Sequence, residues 1–170
     1  MRRVLVIGPC GAGKSTLART LARQLDLPLF HIDQLNWKSG WIEGTKAELR
    51  DKLRAIVATE RWLIDGNYGG TLDERLPRAD TIVYLDYPIG LCLWRLGRRI
   101  ATARGRARLD MAAGCPERFD LSFFLYLLTW NLGPRPRTEA NIKGHQHKII
   151  RLESPKALAA WLESVESVTA

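Results

Sequence analysis

The sequence contains few cysteines, no long hydrophobic run and no internal repeat or low-complexity linker. Its three cysteines are an odd set without CxxC spacing, which argues against a disulfide framework and against a zinc site. The most apolar stretch, residues 119–132, is interrupted by polar side chains and is shorter than the about 20 residues that cross a bilayer. We therefore expect a buried helix there, and no membrane partner.

The N-terminus lacks the pattern of a secretion signal, so the cytoplasm is the expected location. With 170 residues, 46% of them hydrophobic, the chain has the length and composition of one domain covering residues 1–170. A net charge of +8 favours an anionic partner, which could be a nucleotide phosphate, a nucleic acid or an acidic membrane surface. Charge alone does not choose among these.

Short apolar segments alternate with stretches of helical periodicity, which predicts an α/β fold. The spacing predicts five parallel strands covered by helices on both faces, with the strands at residues 3–7, 27–32, 61–64, 81–85 and 148–152. Thr45 and Glu48 have the spacing of a capping box, and Ser154 followed by Pro155 predicts the start of the last helix. Trp94, Trp130 and Trp161 lie on apolar helical faces and are expected in the core.

Residues 8–15, GPCGAGKS, fit the pattern GxxxxGK[ST] between a predicted strand and a predicted helix. Such a P-loop holds phosphate oxygens with inward-turned backbone N–H groups and the positive end of the helix. Lys14 is expected on the terminal phosphates of ATP, and the Ser15 hydroxyl on magnesium. The predicted nucleotide-binding residues are Gly8, Pro9, Cys10, Gly11, Ala12, Gly13, Lys14, Ser15 and Thr16.

Residues 95–108 contain six arginines and no acidic residue, so an anionic ligand is expected near them. Arg95 and Arg99 lie one helical turn apart on one face and are the best candidates to contact phosphate during catalysis. Arg135 and Arg137 form a second candidate pair. A solvated basic face would explain the same pattern.

Three acidic residues, Asp33, Asp65 and Asp86, directly follow predicted strands, and Asp33 and Asp86 are candidates for chemistry on this ground. Asp33 precedes Trp37 and Trp41, so this segment could present a general base and an aromatic surface to an acceptor. The alternative is an acid that only closes a turn at the end of a strand. Asp86 follows four apolar residues, which is typical of an acid that supports magnesium, and the alternative is a cap or turn acid before Pro88. His145 and His147 have no acidic or cysteine partner nearby that would indicate a metal site.

The segment WLIDGNY, residues 62–68, resembles the IDGFPR stretch of adenylate kinases. From HIDQLNWKSGW through RADTIVYLDYP and GCPERFD to IIRLESPKALAAWL, the chain is similar to the adenylate-kinase-related group labelled DNA topology modulation proteins. This resemblance implies a five-stranded parallel sheet, a magnesium role for Asp65, and an arginine-rich lid at about residues 103–120 that closes onto the triphosphate.

Two functions follow from these observations. The first is an ATP- and magnesium-dependent kinase that transfers the γ-phosphoryl group to a small acceptor, either a hydroxyl compound such as a nucleoside or polyol, or a nucleoside monophosphate. The alternative is a nucleotide-gated nucleic-acid-binding protein that modulates DNA topology. Asn67 and Tyr68 stand where adenylate kinases carry FPR, so an acceptor-phosphate arginine is missing unless Arg75 or Arg78 replaces it. This departure favours a hydroxyl acceptor with Asp33 as the base.

Overall fold

The computed structural model describes residues 1–103, 110–116 and 120–169. The strands are β1 (Arg3–Ile7), β2 (Leu29–His31), β3 (Trp37–Lys38), β4 (Ile42–Glu43), β5 (Trp62–Asp65), β6 (Thr81–Leu85) and β7 (Ile149–Leu152). The α-helices are α1 (Lys14–Gln24), α2 (Ile32–Asn36), α3 (Lys46–Val57), α4 (Leu72–Arg75), α5 (Ile89–Ala103), α6 (Leu121–Leu128), α7 (Pro134–Ile142) and α8 (Pro155–Thr169).

Five strands form one parallel sheet in the order β2-β5-β1-β6-β7, and β3 pairs with β4 as a separate antiparallel hairpin. The predicted α/β P-loop fold with a five-stranded parallel sheet is therefore confirmed. The central position of β1 follows from its apolar sequence, because the middle strand of a parallel sheet is covered on both faces.

The core lies on both faces of this sheet. Val4 and Val6 of β1 face a cluster that includes apolar residues of α1, α5 and α8, whereas Leu5 and Ile7 face a second cluster built mainly with α3. This alternation follows from the two-residue period of a strand. Because β2, β5 and β1 are neighbouring parallel strands, their carboxyl ends meet at one edge of the sheet, where α/β proteins bind ligands.

The predicted helix starts at Thr45 and Ser154 are confirmed. The Thr45 hydroxyl accepts from the Glu48 N–H at 3.2 Å, and a Glu48 carboxylate oxygen accepts from the Thr45 N–H at 2.7 Å. The Ser154 hydroxyl accepts from the Ala157 N–H at 3.1 Å, and Pro155 is the first residue of α8. These side chains satisfy backbone donors that a helix leaves unpaired at its N-terminus.

The prediction of a buried helix across residues 119–132 was wrong. The helix α6 buries Leu127, but 59% of Leu121 and 50% of Leu125 are exposed. An outer helix buries only the stripe that meets its neighbours, and a uniformly apolar sequence does not reveal which stripe that is. After α6 ends at Leu128, Pro134 begins α7, because proline is tolerated in the first helical turn.

Trp130 is buried and Trp161 packs against the core, as predicted, but the expectation for Trp94 was wrong. Trp94 is 60% exposed because α5 turns Cys92 and Leu96 inward, which places the residue between them on the opposite face. Its ring is covered by the Arg98 guanidinium, 5.6 Å from the ring centroid.

Within the described residues, no helix combines the length and the apolar character needed to span a membrane. Half of the lid predicted at residues 103–120, namely residues 104–109 and 117–119, lies outside the described residues, and this half includes Arg104, Arg106 and Arg108. The lid therefore stays a prediction, and so do the single-domain assignment and the cytoplasmic location.

Candidate functional site

The P-loop runs from the end of β1 to the start of α1, where the sequence pattern predicted it. Gly8, Gly11 and Gly13 all have positive φ values, of 143°, 78° and 96°. A Cβ on Gly8 would collide with the Leu85 carbonyl oxygen, and a Cβ on Gly11 would collide with that of Cys92. The loop is therefore pressed against the end of β6 and against α5, and only glycine fits at these two positions.

Lys14 and Ser15 open α1 directly after this loop. The Lys14 ammonium donates to the Pro9 carbonyl oxygen at 3.0 Å, so the side chain folds back over the loop. The N-terminus of an eleven-residue helix, with Gly13 as its N-cap, adds a positive end beside this ammonium. A helix N-terminus with a lysine ammonium beside it is typical of a site that binds phosphate.

Both arginines selected from α5 reach the P-loop. The Arg95 guanidinium donates to the Ala12 carbonyl oxygen at 3.3 Å and lies over the Tyr87 ring at 5.6 Å. The Arg99 guanidinium lies 4.0 Å from the Cys10 sulfur. The one-turn spacing read from the sequence thus places two positive charges along the loop.

Asp65 ends β5 next to the P-loop strand, in register with Val6 of β1. Its side chain is 5% exposed, and its Oδ2 lies 2.9 Å from the His31 Nδ1. Its Oδ1 is buried and has no hydrogen-bond partner among the described residues. Asn67, two residues further on, accepts the Gly8 N–H at 2.9 Å and joins this segment to the P-loop.

Sequence reasoning missed His31 and Asn67. His31 closes the strand β2, which pairs with β5 so that His31 and Asp65 stand side by side. The position of a histidine at one strand end and an acid at another was visible in the sequence. The order of strands in the sheet, which makes these two residues neighbours, was not visible in the sequence.

Asp86 makes two ion pairs with arginines. Arg135 donates to its Oδ1 at 3.0 Å and its Oδ2 at 2.7 Å, and Arg151 donates to Oδ2 at 2.7 Å. Burial opposes ionisation, but these two guanidinium groups hold the pKa of Asp86 below its ordinary value. The sequence had presented Arg135 as a phosphate contact and Asp86 as a metal acid, and the structure pairs them with each other.

Asp33 lies in the first turn of α2, two residues beyond the end of β2, beside Tyr68. Burial and the nearby Asp33 carboxylate raise the pKa of the Tyr68 phenol above its ordinary value. Asn36 donates to the Tyr68 hydroxyl at 3.3 Å. Trp37 and Trp41 follow with ring centroids 5.4 Å apart in an edge-to-face arrangement, so the predicted grouping of one acid with aromatic rings is present.

Two cavities border the P-loop. The first, of about 360 Å³, is lined by Gly8, Cys10 and Lys14 on the loop side and by Asp33, Trp37 and Trp41 opposite. The second, of about 390 Å³, is lined by the other part of the loop and by apolar residues of α8; its lining includes Gly11, Gly13, Thr16, Tyr87, Arg95, Pro155 and Leu158. Different residues of the P-loop thus line each of these cavities.

The two arginines considered as acceptor-phosphate ligands lie elsewhere. Arg75 is fully buried and donates to the carbonyl oxygens of Gly66 at 2.9 Å and Asn67 at 2.6 Å. Arg78 donates to the Val57 carbonyl oxygen at 3.2 Å. Among the described residues, no group of three or more histidine, cysteine or acidic side chains could hold a metal ion, and this includes the surroundings of His145 and His147.

Comparisons with known proteins indicate the family to which this chain belongs. The model of the ATPase family associated with various cellular activities (AAA) matches residues 4–65, the segment that contains the P-loop. A shikimate kinase from Rhodococcus jostii is 32% identical over 113 residues, which are 58% of this chain and 67% of that enzyme. A shikimate kinase from Baumannia cicadellinicola is 29% identical over 132 residues, which are 69% of this chain and 73% of that enzyme.

Solved structures give the same fold over almost the full length. A shikimate kinase from Acinetobacter baumannii in complex with shikimate has a TM-score of 0.59 and 16% identity, covering 99% of this chain and 93% of that chain. A gluconokinase from Sinorhizobium meliloti has a TM-score of 0.57 and 16% identity, covering 99% and 91%. At this identity the likeness is one of fold, whereas the sequence matches carry the family. The chain belongs to the family of ATP-dependent P-loop kinases that includes shikimate kinase.

Proposed function

We propose that this protein transfers the γ-phosphoryl group of ATP to a hydroxyl group of a small molecule. The observation that carries the proposal is the position of the P-loop between two cavities, with the Asp33 carboxylate in the lining of one of them. A phosphate chain held by the loop would have its nucleoside in the cavity lined by Tyr87 and Pro155 and its terminal phosphate facing Asp33. The names shikimate kinase and gluconokinase denote relatives whose acceptors carry hydroxyl groups, which supports this choice.

In this proposal Asp33 acts as the general base. The acceptor hydroxyl gives its proton to the Asp33 carboxylate, and its oxygen forms a bond to the γ-phosphorus. The bond between the γ-phosphorus and the β,γ-bridging oxygen breaks, and that oxygen leaves with ADP. Lys14, Arg95 and Arg99 hold positive charge along the loop, where it stabilises the phosphoryl group during transfer.

The residues present fit a magnesium ion that accompanies ATP. Asp65 keeps one buried carboxylate oxygen without a hydrogen-bond donor among the described residues, which suits an oxygen that accepts from a metal-bound water. Ser15, in the first turn of α1, would supply the direct hydroxyl ligand. Such an ion neutralises charge on the β- and γ-phosphates. Asp86 is the weaker candidate because Arg135 and Arg151 already bind its two oxygens.

A nucleoside monophosphate acceptor is less well supported. Its phosphate would need positively charged side chains in the cavity that Asp33 lines, which we call the acceptor cavity. Arg75 is occupied by backbone carbonyl groups, and Arg78 is bound to Val57 on another part of the surface. The structure therefore supplies neither of the replacements that the sequence had offered for the missing arginine.

A nucleic-acid-binding role is also less well supported. That role requires arginines directed outward to a phosphate backbone. Arg95 and Arg99 instead lie on the P-loop, while Arg104, Arg106 and Arg108 lie outside the described residues. DNA binding accordingly stays the alternative proposal, to be recognised by a steep salt dependence without acceptor-stimulated turnover.

The test is ADP release from ATP in the presence of candidate acceptors, comparing the native protein with Asp33→Asn. We expect hydroxyl compounds to stimulate ADP release, and the variant to lose about a hundredfold in kcat, the usual scale of a general base, while its affinity for ATP is retained. Ser39→Ala, a change in the hairpin loop between β3 and β4, serves as the control and should keep native turnover. Native turnover by Asp33→Asn would contradict the proposal.

A further inference from the structure

Aromatic rings form a large part of the lining of the acceptor cavity. Seven aromatic side chains border it, on the β3–β4 hairpin, on the loop after β5 and on and just after α6; they are Trp37, Trp41, Tyr68, Phe123, Phe124, Tyr126 and Trp130. Phe123 and Tyr126 stack with centroids 6.4 Å apart, and Tyr126 meets Trp130 edge to face at 6.0 Å. Rings in these arrangements present flat apolar faces and edges, which attract another flat ring more strongly than they attract a saturated polyol.

Two of these aromatic residues have an unfavourable backbone conformation. Trp41 has φ of 63° and Tyr68 has φ of 31°, in the left-handed region that a bulky side chain rarely adopts. Backbone strain of this kind persists when the surroundings hold it, and it concentrates at binding sites. Trp41 meets Trp37 edge to face, and both side chains line the cavity.

Positive charge in the cavity is confined to the P-loop side. Among the lining residues that the structure describes, Lys14 and Arg99 are the cations, and both lie against the loop itself. Arg75 lies beneath the loop after β5 with its guanidinium bound to carbonyl oxygens. Arg135 is held by Asp86. Away from the P-loop, the described lining of the cavity therefore offers no positively charged partner for a carboxylate or phosphate on the acceptor.

We propose that the acceptor is an uncharged alcohol built on a flat unsaturated ring, which stacks on Trp37 and Trp41 and brings its hydroxyl to Asp33. This inference rests on the proposed function and narrows its substrate to a class distinct from carboxylated polyols. Nucleosides and simple aryl alcohols share the required chemistry. A cavity of about 360 Å³ is at the small end of ligand pockets and suits a molecule of that size.

The experiment compares acceptors in pairs. Uridine and benzyl alcohol represent ring-bearing neutral alcohols, ribitol a saturated neutral polyol, and shikimate, gluconate and uridine monophosphate the anionic compounds. We expect kcat/KM for the first pair to exceed that for every other compound by about tenfold or more, the scale of one lost stacking contact. A higher kcat/KM with shikimate, gluconate or ribitol overturns the inference but leaves the proposed function intact.

Variants of Trp37 test the stacking directly. Trp37→Leu should raise the KM for the ring-bearing acceptor about tenfold with the KM for ATP unchanged, and Trp37→Phe, which keeps a ring, should restore most of the affinity. Trp94→Leu, an exposed change on α5 outside the cavity lining, is the control. Equal KM values for the Leu and Phe variants would overturn the inference.

Tryptophan fluorescence quenching by uridine without ATP separates the two proposals. Saturable quenching by the native protein that Trp37→Leu weakens supports ring binding even when no acceptor stimulates ADP release, a result that would overturn the proposed function alone. Absence of saturable quenching overturns the inference.

Discussion

At the scale of single residues, the acid that ends β5 and the acid that follows β6 have opposite surroundings. Asp65 is held by one histidine nitrogen and keeps Oδ1 without a partner among the described residues, whereas Asp86 has arginines on both oxygens. An acid that is to accept hydrogen bonds from metal-bound water needs an oxygen to spare. His31 fixes the orientation of Asp65 by binding its other oxygen.

Asp65→Asn should therefore raise the magnesium concentration needed for half-maximal turnover, while leaving the fold intact, because the amide presents no full negative charge to the ion. Asp86→Asn should change this concentration less. Magnesium titrations of ADP release on the two variants check the order. A larger shift for Asp86→Asn would assign the magnesium role to Asp86.

Single residues also show what the sequence could and could not predict. The P-loop spacing located Gly8 and Lys14 because a local motif fixes local geometry. The pairing of His31 with Asp65 depends on β2 lying beside β5, and the pairing of Asp86 with Arg135 joins residues far apart in the chain. Contacts of this kind are set by tertiary packing, which a local pattern does not contain.

At the scale of elements, strand positions were predicted well because buried parallel strands are continuous apolar runs, as in β1 and β6. The exposed face of α6 was not predicted, because its sequence is apolar on all sides and its periodicity then does not indicate which face is buried. The short hairpin of β3 and β4 also escaped prediction. With two residues per strand it carries no alternation to detect, yet it positions Trp37 and Trp41.

Asp86 joins three elements, because it follows β6 and binds Arg135 of α7 and Arg151 of β7. Asp86→Asn should lower the free energy of unfolding at pH 7 by roughly 1 to 3 kcal/mol, a value reduced from that of a fully buried pair because both arginines are partly exposed. The native pKa lies below the unfolded value of about 3.9, so this stabilisation is present above that pH and is lost as the pH falls through the native pKa.

Denaturant unfolding of the native protein and the variant at pH 7 and near pH 3 measures this difference. We expect a gap at pH 7 that shrinks in acid. Asp51→Asn, in an exposed pair with Arg54, is the control and should stay within about 0.5 kcal/mol of the native protein. A gap that is constant or larger in acid would contradict the assignment.

At the scale of the whole molecule, the sheet order places one loop between two cavities, and this division supports transfer between two bound molecules. The fold class followed from the alternation of strands and helices, and the family followed from the sequence matches. The acceptor cavity combines residues from the β3–β4 hairpin, the loop after β5, and α5 and α6. Its aromatic character could be anticipated only from Trp37 and Trp41, since the other rings arrive through packing.

The central claim is that phosphate is transferred to a hydroxyl group with the help of Asp33. Phosphorus NMR of the reaction product tests it most directly, because a phosphomonoester and a phosphoanhydride give separate signals. From a mixture of neutral alcohols, carboxylated polyols and nucleoside monophosphates incubated with ATP, the account predicts a new phosphomonoester, formed about a hundredfold more slowly by Asp33→Asn. A nucleoside diphosphate made from the monophosphate at the same rate by both proteins would contradict it.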